Sequence, residues 1–311
     1  MIWYLCKKAI ILLVSLFCVV TGTFFLMKAI PGDPFADERI TEEALKALHA
    51  YYGLDQPIWV QYLKYIKGYL SMDFGRSIVY AGRSVAQLIS DGFPVSAQLG
   101  LQALCVAIPA GIFLGAWAAL KRTRWQDNTA MVISTIGISV PNFVLATLLQ
   151  YFIALKLHLL PVARWGTFAH SILPTIALAA LPTAFIARLT RSNMVEVLQQ
   201  DYIRTAAAKG IPLFRIAMRH GLRNAILPVI SYLGPVTAQI LTGSFVVERI
   251  FAIPGLGEWL IHSIYNRDYP VIIGITVFYS TLLLVSIFFA DIAYSMLDPR
   301  IKTVHKRDDH G

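Results

Sequence analysis

Apolar residues run almost unbroken from Ala9 to Met27, and beyond Lys28 the pattern turns mixed and polar. At about 1.5 Å per helical residue, such a run matches the roughly 30 Å hydrocarbon core of a bilayer. Further apolar runs occupy residues 97–120, 129–155, 169–187, 226–247 and 271–290. Each is predicted to be a transmembrane helix, six in all. A cleaved signal peptide is the competing reading of the first run. That run is longer than a typical signal core, and Lys28-Ala29-Ile30-Pro31-Gly32 follows in place of a small-residue cleavage site.

The spans are punctuated. Pro109, Pro141, Pro174, Pro182, Pro228 and Pro235 fall inside them or at their edges, and each predicts a kink or a break. Gly111-x-x-x-Gly115 in the second span is a small-residue pair that permits close helix packing. Residues 31–96 form the one long polar-to-mixed insertion. In it, Thr41 with Glu42 and Glu43 marks a helix start, and Pro57 marks another. Trp59, Tyr62, Leu63, Ile66 and Tyr69 make a helical apolar stripe opposite Lys64 and Lys67, as expected of a helix resting on a membrane or on the other spans. Between the last two spans, Trp259, Leu260 and Ile264 suggest a short re-entrant or surface helix. The organisation expected is a first span (1–30), an external loop with short amphipathic helices (31–96), a five-helix core (97–300) and a polar tail (301–311).

Charge orients these spans. Lys and Arg number 27, of which 16 fall in segments placed inside and only 4 in the short loops placed outside. The other 7 lie in the long first loop, where charge has little topogenic weight. Both termini are therefore expected in the cytoplasm. The chain is 57% hydrophobic and 14% charged, against about 25% charged in soluble domains. Its net charge of +9 is accounted for by inside loops, which removes the nucleic-acid reading that such a charge otherwise invites. Cys6, Cys18 and Cys105 are odd in number, lack metal-ligand spacing and sit in or beside apolar runs, so neither a disulfide framework nor a metal site is expected.

The longest inside loop, 188–225, carries Arg188, Arg191, Arg204, Lys209, Arg215, Arg219 and Arg223 against Glu196 and Asp201. Within it Arg204 to Ala208 favours helix, Gly210 can end that helix, and Pro212 prevents its continuation. The chain offers this exposed helix no catalytic companion. It has no Gly-x-x-x-x-Gly-Lys-[Ser/Thr] phosphate loop, no His-Glu-x-x-His and no Gly-x-Ser-x-Gly. Few ionisable residues lie deep in a span, as an ion-coupled carrier usually requires. A six-span chain without an energy source of its own, presenting a docking helix, reads as an externally driven permease. An autonomous channel or ion-coupled secondary carrier is the alternative.

Arg204-Thr205-Ala206 followed by Gly210 is a variant of the Glu-Ala-Ala-x-x-x-Gly loop of importer permeases, and Ile226-Leu227-Pro228 closes it. With it occur Pro31-Gly32-Asp33-Pro34, Gly53-Leu54-Asp55-Gln56-Pro57, Asp73-Phe74-Gly75-Arg76-Ser77, Pro254-Gly255-Leu256-Gly257, Arg267-Asp268-Tyr269-Pro270 and Leu297-Asp298-Pro299-Arg300. In this ordered set the chain resembles, over nearly its whole length, the permease subunits of oligopeptide/dipeptide-type ABC importers, and specifically the first of their two permeases.

The resemblance implies an all-α, type I ABC importer permease fold in the bacterial cytoplasmic (inner) membrane. It implies a second homologous permease, two ATPase subunits that bind the ATP and Mg, and an external solute-binding protein, with no cofactor in this chain. Asp201, Tyr202, Arg204, Thr205, Ala206, Ala207, Ala208, Lys209 and Gly210 would form the coupling helix seated on an ATPase. Pro141, Asn142, Gln239, Thr242 and Ser244 are candidates for the translocation path. The expected cargo is a small peptide or a related solute such as a nickel chelate or glutathione. Apolar Ile273 and Ile287 stand where such permeases often carry polar side chains, which leaves the solute open.

Overall fold

Helix α4 (Val85–Leu120) sets the scale of the molecule, because it is the longest element and touches both ends of the fold. The structure, a computed structural model, describes residues 2–29, 42–80, 82–241 and 244–297. Among these, regular structure is helical throughout, apart from one antiparallel bridge between Arg76 and Ser84. Chain order gives α1 (Ile2–Ala29), α2 (Glu42–Tyr52), α3 (Ile58–Leu70), α4, α5 (Trp125–Ser139), α6 (Asn142–Leu149) and α7 (Phe168–Leu198). There follow α8 (Asp201–Ala208), α9 (Leu213–Ile216), α10 (Leu222–Ala225), α11 (Leu227–Leu241), α12 (Phe245–Ile250), α13 (Leu256–Tyr265) and α14 (Tyr269–Leu297). The motif 31–34, Thr41 and the tail 301–311 lie outside the described residues.

Five segments are long and apolar enough to cross a membrane, namely those built on α1, α4, α7, α11 and α14. The sixth span expected from the sequence is the pair α5 and α6, bent by 103° where Val140 and Pro141 leave the helix. Proline breaks the chain there as anticipated. The prolines of α4 (Pro94, Pro109) and α7 (Pro174, Pro182) do not interrupt their helices. Neighbouring helices can tolerate a missing backbone donor inside a bundle.

Two boundaries differ from expectation. The second span begins at Val85 instead of residue 97, so the division expected between 96 and 97 falls inside a helix. A capping box fixes that earlier start: Ser84 Oγ accepts from Gln87 N at 3.2 Å, and Gln87 Oε1 accepts from Ser84 N at 2.9 Å. The fourth span continues past residue 187 to Leu198, so the segment read as loop from Arg188 begins as helix. Arg191, counted as a loop charge, is held on α7 by Asp127 of α5.

Small residues make the central seam. A Cβ on Gly111 would fall 2.7 Å from Ile186 Cβ, and one on Gly115 would fall 2.4 Å from the Ala187 carbonyl. The Gly-x-x-x-Gly pair is thus where α4 meets α7. Gly100 meets the Ile240 carbonyl of α11, and Gly234 of α11 meets Ala290 of α14. Such close approach is how helices associate where lipid removes the hydrophobic drive between them. Leu99, Ala103 and Ala107 of α4 complete the core with Leu173 and Ala177 of α7.

On the outer side α3 lies against the spans. Tyr62 hydrogen-bonds Thr21 of α1 at 2.8 Å, and Tyr69 hydrogen-bonds Thr281 of α14 at 2.8 Å. The apolar stripe expected on this helix divides. Tyr62, Ile66 and Tyr69 face the spans, whereas Trp59 and Leu63 are 70% and 65% exposed.

Candidate functional site

The basic inside loop folds as three short helices, α8 to α10, with one π-helical turn (Ala217–Gly221) between α9 and α10. Ile203 is buried, pins α8 to the fold and leaves its other faces outward. Asp201, Tyr202, Arg204, Thr205, Ala207, Ala208 and Lys209 are exposed, and Ala206 is half-buried. Every expected coupling residue is therefore on or near one surface. The residue omitted from that expectation, Ile203, is the one that anchors it. Its signal was available, since it is the single large aliphatic side chain in an otherwise small and polar helix.

The end of α8 is a Schellman motif. Gly210 N donates to the Ala207 carbonyl at 2.9 Å, and Ile211 N donates to the Ala206 carbonyl at 3.3 Å. Gly210 has φ +78°, the left-handed region, with nothing within 4 Å of where a Cβ would stand. Glycine is required there for conformation and not for space. Asn224 Nδ2 donates to the Tyr202 hydroxyl at 3.0 Å, tying α8 to α10. Arg204 and Asp201 approach to 3.6 Å in full solvent, a pair worth little, so the Arg204 guanidinium stays available to a partner.

Behind this surface sits a rigid mount. Ala116 and Ala119 of α4 pack with Met194 of α7, Ala217 and Ala225, and with Leu198 and Leu222 beside them. Arg191 donates to Asp127 in a two-point pair, with Nη2 to Oδ2 at 2.7 Å, and Thr123 N donates to the same carboxylate at 3.1 Å. The Asp127 side chain is 3% exposed. Planar bidentate geometry of this kind fixes orientation as well as distance. The short loop before α5 is thereby fastened to α7 about two turns before that helix ends at Leu198.

The outer face is closed by contacts between segments far apart in sequence. Asp268, fully buried, accepts from the Ser77 hydroxyl, from Ile78 N at 3.1 Å and from Val79 N at 3.3 Å. Glu248, also fully buried, accepts from Ser96 Oγ at 2.7 Å and from Gly257 N at 3.0 Å, while Leu256 N donates to Ser96 Oγ at 2.9 Å. A Cβ on Gly255 would collide with Glu248 and Ser96, and one on Gly257 with Phe245. Motifs that sequence reading set side by side as a string, 73–77 with 267–270, are thus halves of one lock. A second lock joins Glu248 to 254–257.

The candidate path residues are spread over three elements. Pro141 is exposed at the α5/α6 break and Asn142, beside it, is half-buried. Gln239 is exposed on α11 along the same face as Ser231 and Pro235, and half-buried Ser244 stands at the N-cap of α12. Thr242 lies outside the described residues. Gln102 of α4 accepts from Thr175 of α7 at 3.2 Å, a polar contact within the bundle that the sequence did not single out.

Comparison with known proteins matches both halves of the chain. Residues 111–303 match the family model described as binding-protein-dependent transport system inner membrane component, and residues 1–100 match the N-terminal model of such membrane components. The chain is 52% identical to the dipeptide transport system permease protein DppB of Bacillus subtilis (strain 168), over 98% of this chain and 99% of that protein. It is 40% identical to the oligopeptide transport system permease protein OppB of Escherichia coli (strain K12), over 97% of this chain and all (100%) of that one. Among solved structures, a chain of the MetNI methionine ABC transporter in an inward-facing conformation superposes with TM-score 0.54 at 18% identity, covering 68% of this chain and 97% of that one. At that identity the likeness concerns the fold alone.

Proposed function

This chain belongs to the binding-protein-dependent transport system inner membrane components, and from that premise we propose that it passes small peptides across the membrane under the drive of an ATPase docked on α8. It is a multi-pass inner-membrane permease of an ABC importer, working with ATPase and substrate-binding partners. In this family ATP hydrolysis belongs to separate ATPase subunits. ATP and Mg accordingly bind there and not to this chain. A second, homologous permease completes the path, and two ATPases serve the pair. Peptide is the preferred cargo because the relative sharing 52% identity is a dipeptide permease.

The observation that carries the reading is the construction of α8. Its outward face combines Ala207 and Ala208, small enough for a partner to approach closely, with the exposed cations Arg204 and Lys209. Its other face is fixed by Ile203. Displacement of α8 would pass to α7 through the mount at Met194 and Arg191, and so to the seam with α4.

The test is uptake of a labelled dipeptide by cells carrying Ala207→Trp, together with retention of the ATPase on the solubilised complex. Loss of both, with normal membrane insertion, is expected. Unchanged uptake with the ATPase retained would sink the coupling role. Solute flux through the purified chain alone, with no ATPase, would establish the channel or carrier instead. Competition by unlabelled dipeptides, longer peptides, glutathione and a nickel chelate then ranks the cargo.

A further inference from the structure

On the outer side, away from the coupling surface, the chain encloses a cavity of about 640 Å³. It lies between the last turns of α1, the helices α2 and α3, the loop after α3 and the first turns of α14. Its walls divide by chemistry. Phe24, Met27, Phe74, Ile78 and Ile273 are apolar, whereas Lys28, Lys64 and Arg76 are cationic. Asp73 is the one carboxylate among the described lining residues, and its Oδ1 is already engaged by Gly75 N at 3.1 Å. The Lys64 Nζ lies 3.8 Å from where a Cβ on Gly53 would stand, so this ammonium reaches across the turn between α2 and α3.

Tyr65 supplies the second observation. It lines the cavity, its ring stacks on Phe24 at 5.5 Å, and its hydroxyl is buried without a hydrogen-bond partner among the described residues. Buried hydroxyls are normally satisfied, so an orphan on the wall of a cavity that three cations also line points to an absent acceptor.

We propose that this cavity holds the phosphate headgroup and upper acyl chain of an anionic phospholipid from the outer leaflet. Lys64, Arg76 and Lys28 meet the phosphate, and the Tyr65 hydroxyl donates to one of its oxygens. The aromatic and aliphatic wall takes the glycerol and the first methylenes, which a free phosphate ion would leave unused. The volume falls in the range of roughly 300–1,000 Å³ typical of small-ligand pockets. Position favours lipid over a passing solute. The cavity opens at the outer ends of two spans, where headgroups lie, and Phe25 and Leu26 beside it on α1 are 40% and 71% exposed. The bound lipid would glue α3 to α1 and α14.

The experiment uses the assembled importer in detergent, delipidated and examined by native mass spectrometry after addition of phosphatidylglycerol, phosphatidylcholine or inorganic phosphate. One phosphatidylglycerol retained per copy of this chain is expected, in preference to phosphatidylcholine. The double variant K64Q/R76Q should lower its retention by at least about tenfold. Both side chains are on exposed residues, so the fold is preserved. Tyr65→Phe should lower retention less and leave assembly intact. Four results would each overturn the proposal: equal retention by wild type and the double variant, equal retention of phosphatidylcholine, binding of inorganic phosphate without lipid, or displacement of the lipid by dipeptide.

Discussion

The hydroxyl of Ser77 donates to the carboxylate of Asp268, joining two buried side chains 191 positions apart. Ile78 N and Val79 N add to the same carboxylate, and Tyr80 N donates back to Ser77 Oγ at 2.8 Å. Asp268→Asn would bring an amide N–H against these donors and leave at least one unmet, at a cost of about 1–3 kcal/mol. Ser77→Ala removes two hydrogen bonds, the one to Asp268 and the one from Tyr80 N, and should cost about 1–3 kcal/mol. Thermal unfolding of the solubilised complex measures both, and limited proteolysis after α3 should accelerate most in Asp268→Asn.

Gly210 separates conformation from bulk. Because φ is +78° and the space around it is open, Gly210→Ala pays only the left-handed penalty of about 1–2 kcal/mol. Gly210→Asn, which tolerates that region, should keep the ATPase bound and uptake near normal. Gly210→Val should lose both. If Asn and Val behave alike in a co-purification assay, the Schellman geometry is irrelevant to docking.

Arg191 and Asp127 can be taken apart in a double-mutant cycle. Removing one partner of a buried pair costs about 3–5 kcal/mol at full burial. Arg191→Met strands the Asp127 carboxylate, 3% exposed, but leaves it the Thr123 N donor, so the cost should fall toward the lower end. Asp127→Asn with Arg191→Met should recover part of the loss. Stimulation of the docked ATPase by external solute should fall in the single variant before ATPase binding does, because the pair lies behind α8 and not on its surface.

Gly115→Ala places a methyl 2.4 Å from the Ala187 carbonyl, a backbone atom that cannot turn away. Overpacking of this kind costs about 1–3 kcal/mol. A shift in the distance between spin labels on α4 and α7 would register the separation, and an unchanged distance with full stability would refute the tight seam.

The sequence made the apolar spans legible because length and hydropathy survive without any tertiary information. The break at Pro141 was legible for the same reason, being local chemistry. The outer third of α4 was hidden because Gln87, Ser90, Asp91 and Gln98 line its exposed side, so the helical period there runs through polar residues and mimics a loop. Arg188 and Arg191 disguised the last turns of α7 in the same way. Ile203 was passed over inside a motif taken to be wholly outward. The partners of Asp268 and Glu248 lie far away along the chain, and one sequence holds no trace of which distant serine each will meet.

Helix α4 has one more implication. It is continuous for 36 residues, or about 54 Å at the usual rise. In its outer third Ser96 grips Glu248, and near its inner end Ala119 packs on Met194. A rod held at both ends converts a tilt into opposite displacements there. Loosening the outer latch and shifting the inner cradle therefore become one reaction coordinate. A cross-link that immobilised either end would arrest the other across the whole thickness of the bilayer.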